Sequence, residues 1–162
     1  MKFLALLLAL LGATSALACY VPPVEQRVPP KELIARSKNI VLAQAIKAEI
    51  LGGREILYTF KKIRSLAGRQ EATFTLKSYV APWEEPNTTF NHHSDPEFWE
   101  QGGRSSNDVD CKIHPSFFVG SKYLLFLDQP YHIKSFELIV RSDGDKKTRD
   151  KWLLYVEENV KP

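Results

Sequence analysis

The stretch that decides the fold is NIVLAQAIKAEILGGREILYTFKKIRSL, residues 39–66, in which two long runs flank a pair of glycines. In the first run, every second residue from Val41 to Ala45 is apolar, the spacing at which strand side chains share one face. Gly52-Gly53 is a typical turn signal between two strands. The sequence therefore predicts a long β-hairpin, with strands over residues 39–51 and 55–66.

Further strand patterns follow the hairpin. Three runs are rich in apolar, aromatic or β-branched residues and are short enough for strands, namely residues 71–80, 123–127 and 133–141. Between the first and second of these runs, residues 81–110 lose all periodicity and predict a long loop with one helical turn at residues 96–100.

Two helices are predicted outside the strands. The segment KELIARS, residues 31–37, directly follows Pro30 and is typical of a helix start. Near the C-terminus, Trp152, Tyr155 and Val156 belong to one apolar helix face, and Asp143-Gly144-Asp145 predicts a turn and cap before it. The sequence therefore predicts a mainly β fold: a five-stranded, OB-like Greek-key barrel with a short N-terminal helix, a long loop and a C-terminal helix.

Residues 1–18 have the features of a secretory signal peptide. Lys2 supplies the positive charge, residues 3–11 are apolar, and Ala16 and Ala18 are the small residues that signal peptidase recognises. The apolar run is shorter than the ~20 residues that span a bilayer, so no transmembrane protein is expected. We expect a secreted or periplasmic protein in which residues 19–162 form a single domain.

The predicted cleavage site between Ala18 and Cys19 also allows a second interpretation. A cysteine directly after the cleavage site is what a bacterial lipoprotein signal presents for acylation, and Cys19 occupies that position. Lipoprotein processing prefers leucine at −3, whereas here Leu17 is at −2 and Ala16 at −3. A lipid anchor at Cys19 therefore stays open as the alternative to a free N-terminus.

Charge and cysteine content limit the function further. The net charge of +3 includes Lys2 of the signal, so the exported part has no excess typical of nucleic-acid or membrane-surface binding. The chain contains two cysteines, Cys19 and Cys111, and both lie in the part exposed to an oxidising compartment. The sequence predicts a Cys19–Cys111 disulfide, which would fasten the mature N-terminus to the body of the fold.

Three features together resemble the netrin-like superfamily, and within it the tissue inhibitors of metalloproteinases and their bacterial relatives. Cysteine is the first mature residue, followed by Val21-Pro22-Pro23. Residues 33–43 (LIARSKNIVLA) lead from a helix into a strand. Cys111 is followed by Phe118-Val119-Gly120 and then by Tyr123-Leu124-Leu125.

This resemblance implies an OB-like barrel whose N-terminal cysteine is tied to the loop before the fourth strand. It also implies an inhibitory wedge, residues Cys19, Tyr20, Val21 and Pro22, in which the amine and carbonyl of Cys19 bind the catalytic zinc of an endopeptidase and Tyr20 enters its specificity pocket. The chain differs from these inhibitors at position 21, where they carry a second cysteine, and at Tyr20, where they usually have a small polar residue.

The long loop offers a third hypothesis. His92, His93, Asp95 and Glu97 combine imidazole and carboxylate groups, which are ligands for zinc or copper. Their spacing matches no closed metal motif, so a capping or solvated role is favoured and no intrinsic metal or cofactor is expected. Cys111 and His114 lie close in sequence, but no hydrolase or nucleotide-binding motif accompanies them, and an enzyme is not expected.

The sequence thus supports a ranked set of functions. First is an exported, monomeric protein-binding module, with a zinc endopeptidase as the partner to be inhibited through Cys19. Second is an envelope-associated structural or interaction protein with a lipid anchor at Cys19. Third is a metal-binding protein that uses His92 and His93.

Overall fold

The structure, a computed structural model, describes residues 23–79, 93–100, 102–103, 113–140 and 150–160. These residues contain one antiparallel sheet of five strands and short helices at both ends of the described chain. The mainly β fold predicted from the sequence is confirmed. The signal peptide, residues 1–18, lies outside the described residues.

The strands follow the predicted order. They are β1 (Ile40–Gly52), β2 (Glu55–Ala67), β3 (Thr73–Tyr79), β4 (Lys122–Phe126) and β5 (Phe136–Ile139). The first four match the predicted ranges to within one or two residues. The fifth begins later than predicted, because residues 133–135 belong to a turn in which the amide of Ser135 donates to the carbonyl of His132.

The helices are short. A 3-10 helix (Val24–Arg27) precedes α1 (Pro30–Arg36), α2 (Pro96–Glu100) lies in the predicted long loop, and α3 (Lys151–Asn159) ends the described chain. Proline at the first position of α1 fits its start, since that amide has no partner within the helix. The side chain of Asp150 caps α3 by accepting from the amide of Leu153 at 3.0 Å. The turn expected at residues 143–145 lies outside the described residues.

The strand order in the sheet is β3-β2-β1-β4-β5. Three strands form a meander, and β4 returns after the long connection to lie beside β1, which is the arrangement of a Greek key. All pairs are antiparallel. Among the described residues no pairing joins β3 to β5, so these two strands are the edges of the sheet.

Each face of the sheet has its own core. Side chains alternate along β1, so Ile40 and Leu42 face one way and Val41, Ala43 and Ala45 the other. The first face, here called the helix face, is covered by the helices through Leu33, Ile34, Phe98, Trp152 and Val156. The second, here called the aromatic face, carries Tyr58, Phe60, Phe117, Tyr123 and Phe136.

Candidate functional site

A turn between β4 and β5 is the structural centre of the candidate site. This turn, residues 129–135, is called the anchor loop. It is closed by the hydroxyl of Ser135, which donates to the carbonyl of Gln129, and the carbonyl of Ser135 accepts from the amide of Phe126 at 2.9 Å. A loop with internal hydrogen bonds of this kind presents its remaining backbone groups in fixed directions.

The anchor loop holds the beginning of the described chain. The amide of Ile133 donates to the carbonyl of Gln26 at 3.3 Å, and Nε2 of His132 donates to the carbonyl of Val28 at 2.9 Å. Gln26, Val28 and His132 are all buried. The residues that follow Pro22 are therefore fixed to the body of the fold by backbone groups of their own.

His132 is neutral at neutral pH. Its Nδ1 accepts from the amide of Lys134 at 3.0 Å, so the ring proton must lie on Nε2, where it is donated to Val28. Burial lowers the pKa of His132 to about 4, with the charge of Lys134 adding to the effect and the hydrogen bond to Val28 opposing it. The ring thus joins two buried backbone groups without introducing a charge.

The segment that follows Cys111 reaches the same loop. The amide of Ile113 donates to the carbonyl of Pro130 at 3.0 Å. Farther along, the carbonyl of Pro115 accepts from the hydroxyl of Ser78 in β3 at 2.7 Å, and Phe117 packs edge-on against Phe60 with ring centroids 5.0 Å apart. This segment therefore runs from the anchor loop across the aromatic face.

A third segment approaches the anchor loop through Lys134. Its ammonium group donates to the carbonyl of Gly102 at 2.5 Å and lies 4.8 Å from the ring centroid of Phe98. Gly103 adopts φ +141°, and a Cβ there would lie 2.6 Å from the carbonyl oxygen of Ile133, so glycine allows the close approach. Burial lowers the pKa of Lys134 to about 8, against the opposing charge of Glu137.

A second buried polar group lies on the helix face. Nδ1 of His93 is 2.8 Å from Oδ2 of Asp150, and Nε2 of His93 is 3.2 Å from Oε2 of Glu137. Glu137 is in β5, Asp150 caps α3, and His93 precedes α2. This trio, here called the clasp, joins three separate parts of the chain.

The clasp is charged. Burial by itself would lower the pKa of His93, but hydrogen bonds to Asp150 and Glu137, together with their negative charges, raise it to about 9. Both ring nitrogens then donate, one to each carboxylate. His93 also adopts φ +56°, a left-handed conformation that costs about 1 kcal/mol or more in a residue other than glycine, so its backbone is held in place by the surrounding contacts.

Aromatic side chains enclose the clasp. The ring of Phe98 lies 4.4 Å from that of His93, and the indole nitrogen of Trp99 donates to the carbonyl of His93 at 3.0 Å. Trp152 completes the cover through edge contacts with Phe98 and Trp99. The second carboxylate oxygen of Glu137, Oε1, has no hydrogen-bond partner among the described residues, so the ion pair to His93 is the principal compensation for burying that side chain.

The structure places the predicted site residues in different situations. Outside the described residues lie Cys19, Tyr20, Val21, Pro22, His92 and Cys111. His93 is fully buried with both nitrogens occupied by carboxylates, whereas Asp95 contributes its backbone carbonyl to the amide of Phe98 at 3.2 Å. Within the described ranges, no three His, Cys, Asp or Glu side chains are arranged to hold a metal ion.

Sequence reasoning missed most of the buried polar residues. Glu137, His132 and Lys134 all lie inside residues 133–141 or next to them, a run that the sequence predicts as one strand. A charged residue in an apolar strand has to find a partner when it is buried. Glu137 between Phe136 and Leu138 was the available signal that an opposite charge lies nearby.

Comparison with other proteins adds no assignment. No model of a known protein family matches the chain, and no curated protein matches it. In the described part of the chain, no helix is both long enough and apolar enough to cross a membrane. The anchor loop and the clasp are therefore the observations from which a function is inferred.

Proposed function

We propose that the mature chain is an exported protein-binding module that inhibits a zinc endopeptidase through the wedge Cys19, Tyr20, Val21 and Pro22. The observation that supports this proposal is the shared attachment to the anchor loop. The residues just after the wedge bind it through Gln26 and Val28, and the residue two positions after Cys111 binds it through Pro130.

This attachment favours the Cys19–Cys111 disulfide. The contacts to the anchor loop are made at Pro130, His132 and Ile133, which are close neighbours in the chain. At about 3.5 Å per residue, two residues carry Cys111 no more than about 7 Å from Ile113. Gln26 lies seven positions after Cys19, so the sequence spacing allows both cysteines to reach the anchor loop.

A tethered N-terminus suits the proposed chemistry. A neutral α-amine and the adjacent carbonyl oxygen are ligands that can replace water at the open position of a catalytic zinc. The anchor contacts and the prolines restrict the segment before it binds, so less conformational entropy is lost in the complex. Tyr20 would then supply the side chain that enters the pocket of the enzyme.

The first test is the intact mass of the protein recovered from the exporting compartment, before and after reduction. The proposal expects a mature chain that begins at Cys19, has an unmodified amine, and gains two hydrogens on reduction. A mass increased by acyl chains would contradict the proposal of an inhibitor and would identify an envelope protein anchored at Cys19 instead.

The second test measures inhibition across a set of zinc endopeptidases. A variant with one alanine added before Cys19 keeps the disulfide but moves the amine away from the chelating position, so it should lose inhibition. Tyr20→Ala should keep the chelate and change which enzymes are inhibited. The proposal is wrong if the unmodified protein inhibits none of them, or if the extended variant inhibits as well as the natural N-terminus.

A further inference from the structure

In the part of the chain that the structure describes, one edge of the outer half of β1 has no strand beside it. β4 pairs with β1 from Ile40 to Gln44, and Ala45 exchanges backbone hydrogen bonds with Gly120 and Ser121. From Lys47 to Gly52, β1 pairs only with β2 among the described residues, with shifts of register at Ile46 and Leu51. Its other edge therefore presents backbone N–H and C=O groups on which another strand can be added.

Large apolar side chains line this edge. The exposed fractions are 43% for Ile46, 78% for Ile50 and 48% for Leu51. Phe118 and Val119, 47% and 56% exposed, lie just before Gly120, which is bonded to Ala45. An open edge beside exposed apolar residues is a feature of surfaces that associate.

The sequence of the edge is complementary to itself. Residues 46–50 read Ile-Lys-Ala-Glu-Ile, so an antiparallel copy centred on Ala48 places Ile46 opposite Ile50 and Lys47 opposite Glu49. We propose that two copies of this chain associate by pairing their β1 edges antiparallel in this register, with Ala48 on the two-fold axis.

Charge is what selects a second copy as the partner. A lysine on an edge strand normally discourages pairing with another chain. Here Lys47 and Glu49 form an exposed ion pair at 2.8 Å within one chain. In the proposed register, Lys47 of each copy lies directly opposite Glu49 of the other copy. Opposite charges at facing positions stabilise an antiparallel pair, and like charges destabilise it.

The apolar residues complete the match. In the same register, pairing ends at Ile46, because Ala45 is already bonded to Gly120 and Ser121. The exposed Leu51 of one copy then comes near the exposed Phe118 and Val119 of the other, so apolar groups meet at both ends of a closed, two-fold contact. The paired segment is short, and we expect weak, concentration-dependent association in place of the monomer expected from the sequence. None of these residues belongs to the wedge, so this inference stands apart from the proposed function.

Sedimentation velocity of the mature protein over a range of concentrations tests the association. Lys47→Glu and Glu49→Lys each bring like charges face to face twice in the symmetric pair, and each should weaken dimerisation by about tenfold or more. An equal mixture of the two variants restores both opposite-charge pairs and should dimerise like the natural chain. Lys77→Glu, a change at an exposed lysine of β3, is the matched control and should leave the association unchanged.

A cysteine at the axis tests the register. Ala48→Cys should form a disulfide-linked dimer on mild oxidation, because facing strand residues lie about 5 Å apart, within reach of a disulfide. Ala35→Cys, at an exposed position of α1, should not. A protein that stays monomeric at millimolar concentration, or a mixture of charge variants that fails to restore dimers, would overturn the proposal.

Discussion

The clasp and the anchor loop each depend on a buried histidine, and the two histidines carry opposite charge states. His93 is completely buried between two carboxylates, and its pKa is raised to about 9. His132 is 2% exposed between a backbone carbonyl and a backbone amide, and its pKa is lowered to about 4. Burial disfavours the charged form of both rings, so the difference comes from the partners.

This difference separates two ways of fastening a chain segment. The clasp holds His93 to β5 and α3 by ion pairs, which are strong only while both signs of charge are present. The anchor loop holds the N-terminal segment by hydrogen bonds between neutral groups, which cost less to bury but tolerate no added proton on His132. The clasp should therefore weaken at high pH, and the contacts of the anchor loop should weaken at low pH.

The largest effect is expected from breaking the clasp. His93→Gln removes the cation that both Glu137 and Asp150 contact, and loss of one partner from a buried ion pair costs about 3–5 kcal/mol. Urea denaturation at pH 6 should show this loss in the free energy of unfolding. The corresponding change in the anchor loop, His132→Asn, leaves neutral backbone groups without partners and should cost only about 1–3 kcal/mol.

A double variant distinguishes charge from shape in the clasp. Adding Glu137→Gln to His93→Gln removes one of the two stranded carboxylates, so part of the lost stability should return. If the double variant is instead less stable by the sum of the two single changes, the ion pair is not what holds the clasp together.

The pH dependence should have opposite signs in the two regions. The raised pKa of His93 means that its contribution is complete below the unfolded value of 6.5 and is lost as pH rises through about 9. The lowered pKa of His132 means that its contribution is complete above 6.5 and is lost as pH falls through about 4. Each contribution is roughly 3 kcal/mol, since one pKa unit corresponds to about 1.4 kcal/mol.

Difference measurements isolate these two contributions. The gap in unfolding free energy between the natural chain and His93→Gln should narrow between pH 6.5 and 9. The gap to His132→Asn should narrow between pH 6.5 and 4, and the amides of Ile133 and Lys134 should lose protection from hydrogen exchange over that same range. Two gaps that narrow in the same direction would contradict the assignment of one charged and one neutral ring.

The sheet could be predicted from the sequence, whereas the clasp and the anchor loop could not, and the reason is physical. The hairpin of β1 and β2 follows from local periodicity and a Gly-Gly turn. Both signals lie within a short stretch of sequence. The clasp joins His93 to residues 44 and 57 positions away, and the contact of His132 with Val28 spans 104 positions. No local pattern states which distant group a buried histidine will meet.

The late start of β5 at Phe136 has the same origin. The sequence predicts residues 133–135 as strand because they lead directly into an apolar run, but their backbone groups bond to Gln26 and within the turn itself. The side chain of Lys134 in addition donates to the carbonyl of Gly102. Tertiary contacts of this kind override a β pattern of moderate strength. Of the candidate residues, His93 lies in the predicted loop, whereas the groups that hold it are Glu137 of β5 and Asp150 at the start of α3.

The smallest effect is expected at Lys134, which lies between the two regions. Lys134→Met keeps the apolar stem over Phe98 and removes an amine whose pKa of about 8 means that most of it is charged, and disfavoured by burial, at pH 7. The gain from removing that charge is offset by the carbonyl of Gly102, which loses its donor. We therefore expect the free energy of unfolding at pH 7 to change by less than about 1 kcal/mol.

The pH dependence of this variant shows whether the charge of Lys134 stabilises or destabilises the fold. A lowered pKa means that the penalty for burying the charged amine is present below pH 8 and disappears as pH rises toward the unfolded value of 10.5. The natural chain should therefore gain stability relative to Lys134→Met as pH rises above 8, even while the clasp weakens in both proteins. A difference that stays constant from pH 7 to 10 would mean that Lys134 keeps its proton in the fold, held by Glu137, and would make it a fourth member of the clasp.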